Sequence, residues 1–152
     1  MASRKIVIAI DPLSQEAHKT VEWTMDNFLR PDDHIELALV LVFDSEFTES
    51  ELGIGAIDNL LLIEEETIKN RIKDLTKVAT YMKTKGFTNV TTHIFKTGPS
   101  KACRVLVDFV DSSKVDCLVM GSRNLAGWKT FFMGSFSDYV QSRIHCPVLI
   151  VR

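Results

Sequence analysis

Five short runs of aliphatic and β-branched residues, separated by stretches with helical spacing, constrain this chain more than any other feature. Residues 5–11 read KIVIAID, apolar almost throughout, as expected of a strand buried on both faces. Residues 35–43, IELALVLVF, repeat the pattern. Further runs follow at 90–95, 115–120 (VDCLVM) and 147–151 (PVLIV). Between the first two runs, Ala17, Val21, Thr24, Met25 and Phe28 form a helical stripe within 13–29, ended by Pro31-Asp32-Asp33. Between the second and third, Leu61, Ile68, Ile72, Leu75, Ala79 and Met82 recur at spacings of three, four or seven. Gly86 ends that helix, with Lys83 and Lys85 in its last turn. Gly98-Pro99-Ser100 opens a third helix carrying Ala102, Leu106, Phe109 and Val110, and Gly134-Ser135 opens a last one reaching Ile144. Strands alternating with helices predict right-handed crossovers and a doubly wound parallel sheet with helices on both faces.

A chain of 152 residues that is 45% hydrophobic and 25% charged is expected to be one soluble globular domain over 1–152. The net charge of −2 argues against a broadly basic nucleic-acid binder. The longest apolar run, near 37–43, falls far short of the ~20 residues of a membrane span. Cys103, Cys117 and Cys146 include no CxxC pair and read as buried thiols of a reducing compartment. The N-terminus runs into a strand without a signal-peptide cleavage region. The expectation is a cytoplasmic protein that binds neither nucleic acid nor membrane.

Ligands of such sheets bind beyond the carboxyl ends of the strands, where the strand order reverses. For five strands the orders 2-1-3-4-5 and 3-2-1-4-5 both satisfy the pattern. The strand ends lead to Asp11-Pro12, to Asp44, to Lys96-Thr97-Gly98, and to Gly121-Ser122-Arg123-Asn124. The last segment, continuing to Gly134-Ser135, suits an anion. Gly121 allows close backbone approach, Ser122 and Ser135 offer hydroxyls, and Arg123 and Lys129 offer charge. Gly134 and Ser135 sit where a helix start presents free N–H groups to phosphate; an ordinary loop with a Ser cap is the alternative. The P-loop GxxxxGK[ST] is absent, Gly53-Ile54-Gly55 is not followed by the third dinucleotide-motif glycine, and there is no GxSxG elbow.

At these residues the chain resembles the universal stress protein family. Its ATP-binding members carry Gly, two residues, Gly, nine residues, then Gly-Ser or Gly-Thr. Gly121, Asn124, Gly134 and Ser135 occupy those positions with the spacing intact. The opening IVIAID, the second strand ending at Val42, Thr97-Gly98-Pro99, LVMGSR and the closing CPVLIV extend the resemblance over the whole chain.

The resemblance implies a Rossmann-like sheet, of the adenine nucleotide alpha hydrolase-like type, in the order 3-2-1-4-5. It implies ATP, or AMP or ADP, as ligand, with Mg2+ as a candidate companion of the phosphates. Asp11 would lie at the nucleoside beside Pro12, and the Val42 backbone would bond adenine. Met120 and Gly121 would meet ribose or phosphate. Arg123, Asn124, Gly134, Ser135, Phe136 and Ser137 would surround the phosphates. Asn124 replaces the signature's second glycine. Asn is the best non-glycine residue for a left-handed backbone, but it obstructs phosphate if the site needs an absent side chain. The resemblance also implies a homodimer through the last strand, Pro147-Val148-Leu149-Ile150-Val151, an apolar sheet edge in that order.

No nucleophile, base and oxyanion constellation emerges, so no catalytic residue is assigned. His18, His34, His93 and His145 show no metal-ligand spacing, and no metal site is assigned. Glu64-Glu65-Glu66 reads as a solvated helix face. Trp128, Phe131 and Phe132 lie in the motif loop, as packing over the site or a surface for a partner. The leading expectation is a nucleotide-binding stress-response regulatory module. The alternatives are a slow ATPase or phosphotransfer protein, and a dimeric interaction module that has lost its nucleotide. The client protein is not legible.

Overall fold

The computed structural model describes residues 3–43, 53, 55–121 and 133–152. Among them the chain forms β1 (Lys5–Ala9), α1 (Gln15–Asn27), β2 (His34–Val42), α2 (Ala56–Thr84), β3 (Val90–Thr97), a 3₁₀ turn (Pro99–Lys101), α3 (Ala102–Ser112), β4 (Cys117–Gly121), α4 (Met133–Arg143) and β5 (Val148–Val151). The five strands make one sheet in the order β3-β2-β1-β4-β5, every pair parallel. The order is the one the resemblance implied.

Burial on both faces explains why the strands read as unbroken aliphatic runs. Ile6, Ile8 and Ile10 pack on one side with Val21 and Met25 of α1 and Leu75, Ala79 and Met82 of α2. Val7 and Ala9 pack on the other with Leu106 and Val110 of α3 and Val140 of α4. Local signals set the helix ends. The Ser14 hydroxyl accepts the Ala17 N–H at 3.0 Å and caps α1. At the end of α2, Gly86 takes φ +98°, which lets the Phe87 N–H reach the Met82 carbonyl and the Gly86 N–H the Lys83 carbonyl, both at 3.1 Å. That paired closure is a Schellman motif and needs the left-handed glycine.

Three details depart from the expectations. Leu61 and Ile72 lie on the exposed side of α2, although they share the apolar spacing. Glu64 is buried, while Glu65 and Glu66 are exposed as expected. Of the three free thiols only Cys117 is buried; Cys103 and Cys146 are half-buried. No helix among the described residues is long and apolar enough to cross a membrane.

Candidate functional site

The strand order reverses between β1 and β4, so the chain leaves their carboxyl ends in opposite directions and opens a crevice there. Ala9 stands opposite Met120 in the register, which brings Asp11 just past the level of Gly121. Asp11 is only 6% exposed. Its Oδ1 accepts the Leu13 N–H at 2.9 Å, and its carbonyl accepts the Ser14 N–H at 3.0 Å. This turn, with Pro12 inside it, converts β1 into α1 and fixes the carboxylate at the strand end. Met120 is fully buried beneath the crevice, and Gly121 is buried opposite Val151 at the end of β4.

Main-chain register gives Val42 its place. The His34 N–H donates to the Arg4 carbonyl at 2.8 Å, and the Ala38 carbonyl accepts the Ile10 N–H at 3.0 Å. Even-numbered residues of β2 therefore turn their polar backbone toward β1. Odd-numbered residues turn it toward β3, as Ile35 and Phe43 show by donating to Asn89 and Thr97 at 2.9 Å each. Registered pairing with β1 stops at Ala38. Val42, four residues further on, directs its N–H and carbonyl past the end of β1, toward the crevice.

Of the motif segment, Arg123 and Asn124 lie outside the described residues, as do Ser122, Trp128, Lys129, Phe131 and Phe132. Gly134, Ser135, Phe136 and Ser137 belong to the first turns of α4, and the backbone N–H groups of its first turn, at Gly134 and Ser135, lack intrahelical acceptors. The side chains of all four also lie outside the described residues. Crossover helices run antiparallel to the strands, so this helix start belongs to the carboxyl edge.

Three further constellations were not anticipated. Glu64 of α2 forms an ion pair with Lys96 of β3, and the Lys96 ammonium also stands 5.6 Å from the centre of the Phe43 ring. The signal lay in the spacing: Glu64 falls on the stripe of Ile68, Leu75, Ala79 and Met82, where a carboxylate requires a cation. At the opposite edge, His34 Nε2 and His93 Nε2 both stand 3.5 Å from Glu36 Oε1. Among the described residues no group of three such side chains is arranged to hold a metal. Between α1 and α2, a cavity of about 190 Å³ is lined by Pro12, His18, Val21, Lys77 and Tyr81 among others. The Tyr81 hydroxyl donates to Glu22, which holds the phenol proton above its ordinary range. This cavity is smaller than the ~300 Å³ of ordinary ligand pockets, and Pro12, in the turn after β1, is one of its lining residues.

Residues 2–152 match the model of the universal stress protein family. A universal stress protein of Thermus aquaticus is 33% identical over 89 residues, which is 58% of this chain and 63% of that protein. The chain spans between 22% and 63% of the length of the curated relatives it matches. Among solved structures, the universal stress protein UspA of Lactobacillus plantarum superposes with a TM-score of 0.72 at 18% identity, covering 100% of each chain. An Arabidopsis thaliana family protein with AMP bound superposes with a TM-score of 0.54 at 18% identity, covering 97% of this chain and 90% of that one. At such identities the superpositions speak for the fold.

Proposed function

The chain belongs to the universal stress protein family, and from that premise we propose that it is an adenine-nucleotide-binding regulatory module. One observation carries the reading: Asp11, Gly121 and the free-running backbone of Val42 meet the strand-order reversal from three sides. AMP in the Arabidopsis thaliana relative supplies the ligand class.

In this reading the Val42 N–H and carbonyl pair with the adenine edge. A backbone donor and acceptor side by side suit a ring that presents one of each. Asp11, already positioned by the Leu13 N–H, accepts from the nucleoside hydroxyls. Pro12 shapes the turn behind it. Met120 and Gly121 bring the main chain of β4 close to ribose. The first N–H groups of α4, at 134 and 135, hold phosphate with the Ser135 hydroxyl, with Phe136 and Ser137 next in the helix, and Arg123 and Asn124 complete the approach. ATP is the fullest ligand for this arrangement, with Mg2+ accompanying the phosphates; ADP and AMP occupy the same base end. The module works as a cytoplasmic homodimer of single domains, and its nucleotide state sets partner choice or stability.

The test is direct. Ligand released from freshly purified protein is identified by mass spectrometry, and AMP, ADP and ATP are titrated by calorimetry with and without Mg2+. Retained or titratable adenine nucleotide is expected. Absence of both, in folded protein at millimolar nucleotide, overturns the reading in favour of an interaction module.

A further inference from the structure

We propose that Glu64 and Lys96 are positioning residues that fix the base end of the nucleotide site and thereby its selectivity among purine bases. The inference rests on the nucleotide reading above.

Helix α2 leaves β2 and returns to β3, so it runs antiparallel to the strands and its amino end stands at their carboxyl edge. Lys96 lies opposite Leu41, one residue short of the Val42–Thr97 pair. Glu64 meets it there. Residues 56–63 precede Glu64 in the helix, which at 1.5 Å per residue is ~12 Å of helix beyond the ion pair. Strand β3 continues for only one residue past Lys96. The first two turns of α2 therefore rise beyond the sheet on the β2–β3 side of Val42, as a wall behind the strand end whose backbone faces the base position.

The described large apolar side chains of that wall do not hold it by packing. Leu60, Leu61, Leu62 and Ile63 are 36%, 48%, 62% and 60% exposed, and four consecutive helical residues face all sides. Among the described side chains Glu64 is the first buried residue of the helix, at 7% exposure. Ile68 is partly buried and Leu75 fully buried, one and three turns further on. Among the described side chains the ion pair is therefore the first anchor of α2 on the sheet. The Lys96 ammonium over the Phe43 ring extends the anchor to the residue directly after Val42. Lys96→Met leaves the buried Glu64 carboxylate unpaired, Glu64→Gln removes the ion pair from a half-exposed ammonium, and either change loosens the wall. The phosphate end, on β4 and α4, is untouched by either change.

The experiment measures AMP and GMP affinities of the full chain, by competition, for wild type, Glu64→Gln, Lys96→Met and the exchanged pair Glu64→Lys/Lys96→Glu. Circular dichroism and urea titration verify folding. Both single variants are expected to weaken AMP about tenfold and to shrink the AMP-over-GMP ratio. The exchanged pair is expected to recover most of both. A merely structural role reduces the competent fraction and scales both affinities by one factor. An unchanged ratio, or AMP affinity within about twofold of wild type, overturns the inference while leaving nucleotide binding intact. Wild-type protein that binds no AMP overturns the functional reading and this inference together.

Discussion

Arg4 closes a fork on Asp33 at the amino edge of the sheet, Nε donating to Oδ1 at 2.9 Å and Nη2 to Oδ2 at 2.6 Å. Nη2 also donates to the Phe28 carbonyl at 3.1 Å, and the guanidinium lies 4.8 Å from the centre of the Phe28 ring. Asp33 is 1% exposed and accepts a further bond from the Arg30 N–H at 2.8 Å. The pair pins the connection between α1 and β2 to the start of β1, far from the crevice. Arg4→Met leaves a buried carboxylate without its cation and is expected to cost about 3 kcal/mol of stability by urea denaturation. AMP affinity of the folded fraction should not change.

The same pair sets an acid dependence. Burial raises the Asp33 carboxyl, but the Arg4 fork and the Arg30 N–H outweigh it and hold the carboxyl below its ordinary 3.8. A carboxyl depressed in the folded state contributes its full stabilisation above the unfolded pKa. It loses that contribution as pH falls through the folded value. Stability should therefore decline below about pH 4. Asp33→Asn should be less stable near neutrality, and its difference from wild type should narrow through that window. A difference that stays constant into acid would show that the Asp33 charge is not what Arg4 stabilises.

At the crevice, Asp11→Asn separates ligand binding from folding. The Asn carbonyl still accepts the Leu13 N–H, so the turn at 11–14 persists. Its amide replaces an acceptor with a donor toward the nucleoside, and AMP affinity should fall about tenfold. Gly134→Val in the first turn of α4 should abolish phosphate binding by blocking the N–H groups. Asn124→Gly restores the signature glycine and should leave affinity equal or improved. Unchanged ATP affinity in folded Gly134→Val protein removes the helix start from the site.

Turnover should be slight. Phosphoryl transfer needs positioned charge and an oriented nucleophile, and the residues assigned around the crevice supply donors for phosphate. Steady-state ATP hydrolysis near ~1 per second that disappears in Asp11→Asn would make the protein an enzyme, with Asp11 orienting water.

Burial pushes the Cys103 thiol up to about 11. It pushes Cys117 and Cys146 up as well, the charge of Cys146 adding to the effect on Cys117. The thiolate is the reactive form. At pH 8 native Cys103 should react with an alkylating reagent more slowly than in urea-unfolded protein, by about a hundredfold or more. Its rate should keep rising up to about pH 11. Native and unfolded rates that coincide at pH 8 would show that Cys103 is not shielded.

Strands were legible because double-sided burial demands aliphatic residues at successive positions, as in Ile6, Val7 and Ile8. The strand order was not, since order is written in loop paths; residues alone allowed two, and the family motif chose. Asp11 was found through a strand end, and Val42 through the family resemblance. The direction of the Val42 backbone emerged only from the register with β1, which stops at Ala38. Leu61 misled because helical spacing marks a stripe without stating how far the sheet beneath it extends, and Ile72 because, between Ile68 and the buried Leu75, it falls at the solvent rim of the stripe. Glu64 on the stripe was read as part of an acidic run, because its cation, Lys96, lies 32 positions away in the chain.

The proposed homodimer is tested at the last strand. β5 pairs with β4 and forms an edge of the sheet. Val148, Leu149 and Ile150 are half-buried, which is more exposure than β4, the strand beside it, allows at any residue. An edge that is aliphatic on both faces offers apolar side chains and main-chain hydrogen-bonding groups to an incoming strand. Pro147, just before the strand, is where a missing N–H costs least. In the proposed homodimer a two-fold axis would pair the edge with its own copy, antiparallel, and each Leu149 would then lie within a self-complementary contact. Leu149→Arg places two like charges in that contact while changing one partly exposed side chain of each subunit. Light scattering at tens of micromolar should give the mass of two chains for wild type and of one chain for the variant. A single-chain mass for wild type removes the dimer, and a folded, dimeric Leu149→Arg protein moves it to another surface, because a buried pair of arginines at this edge has no carboxylate from β5 to meet it.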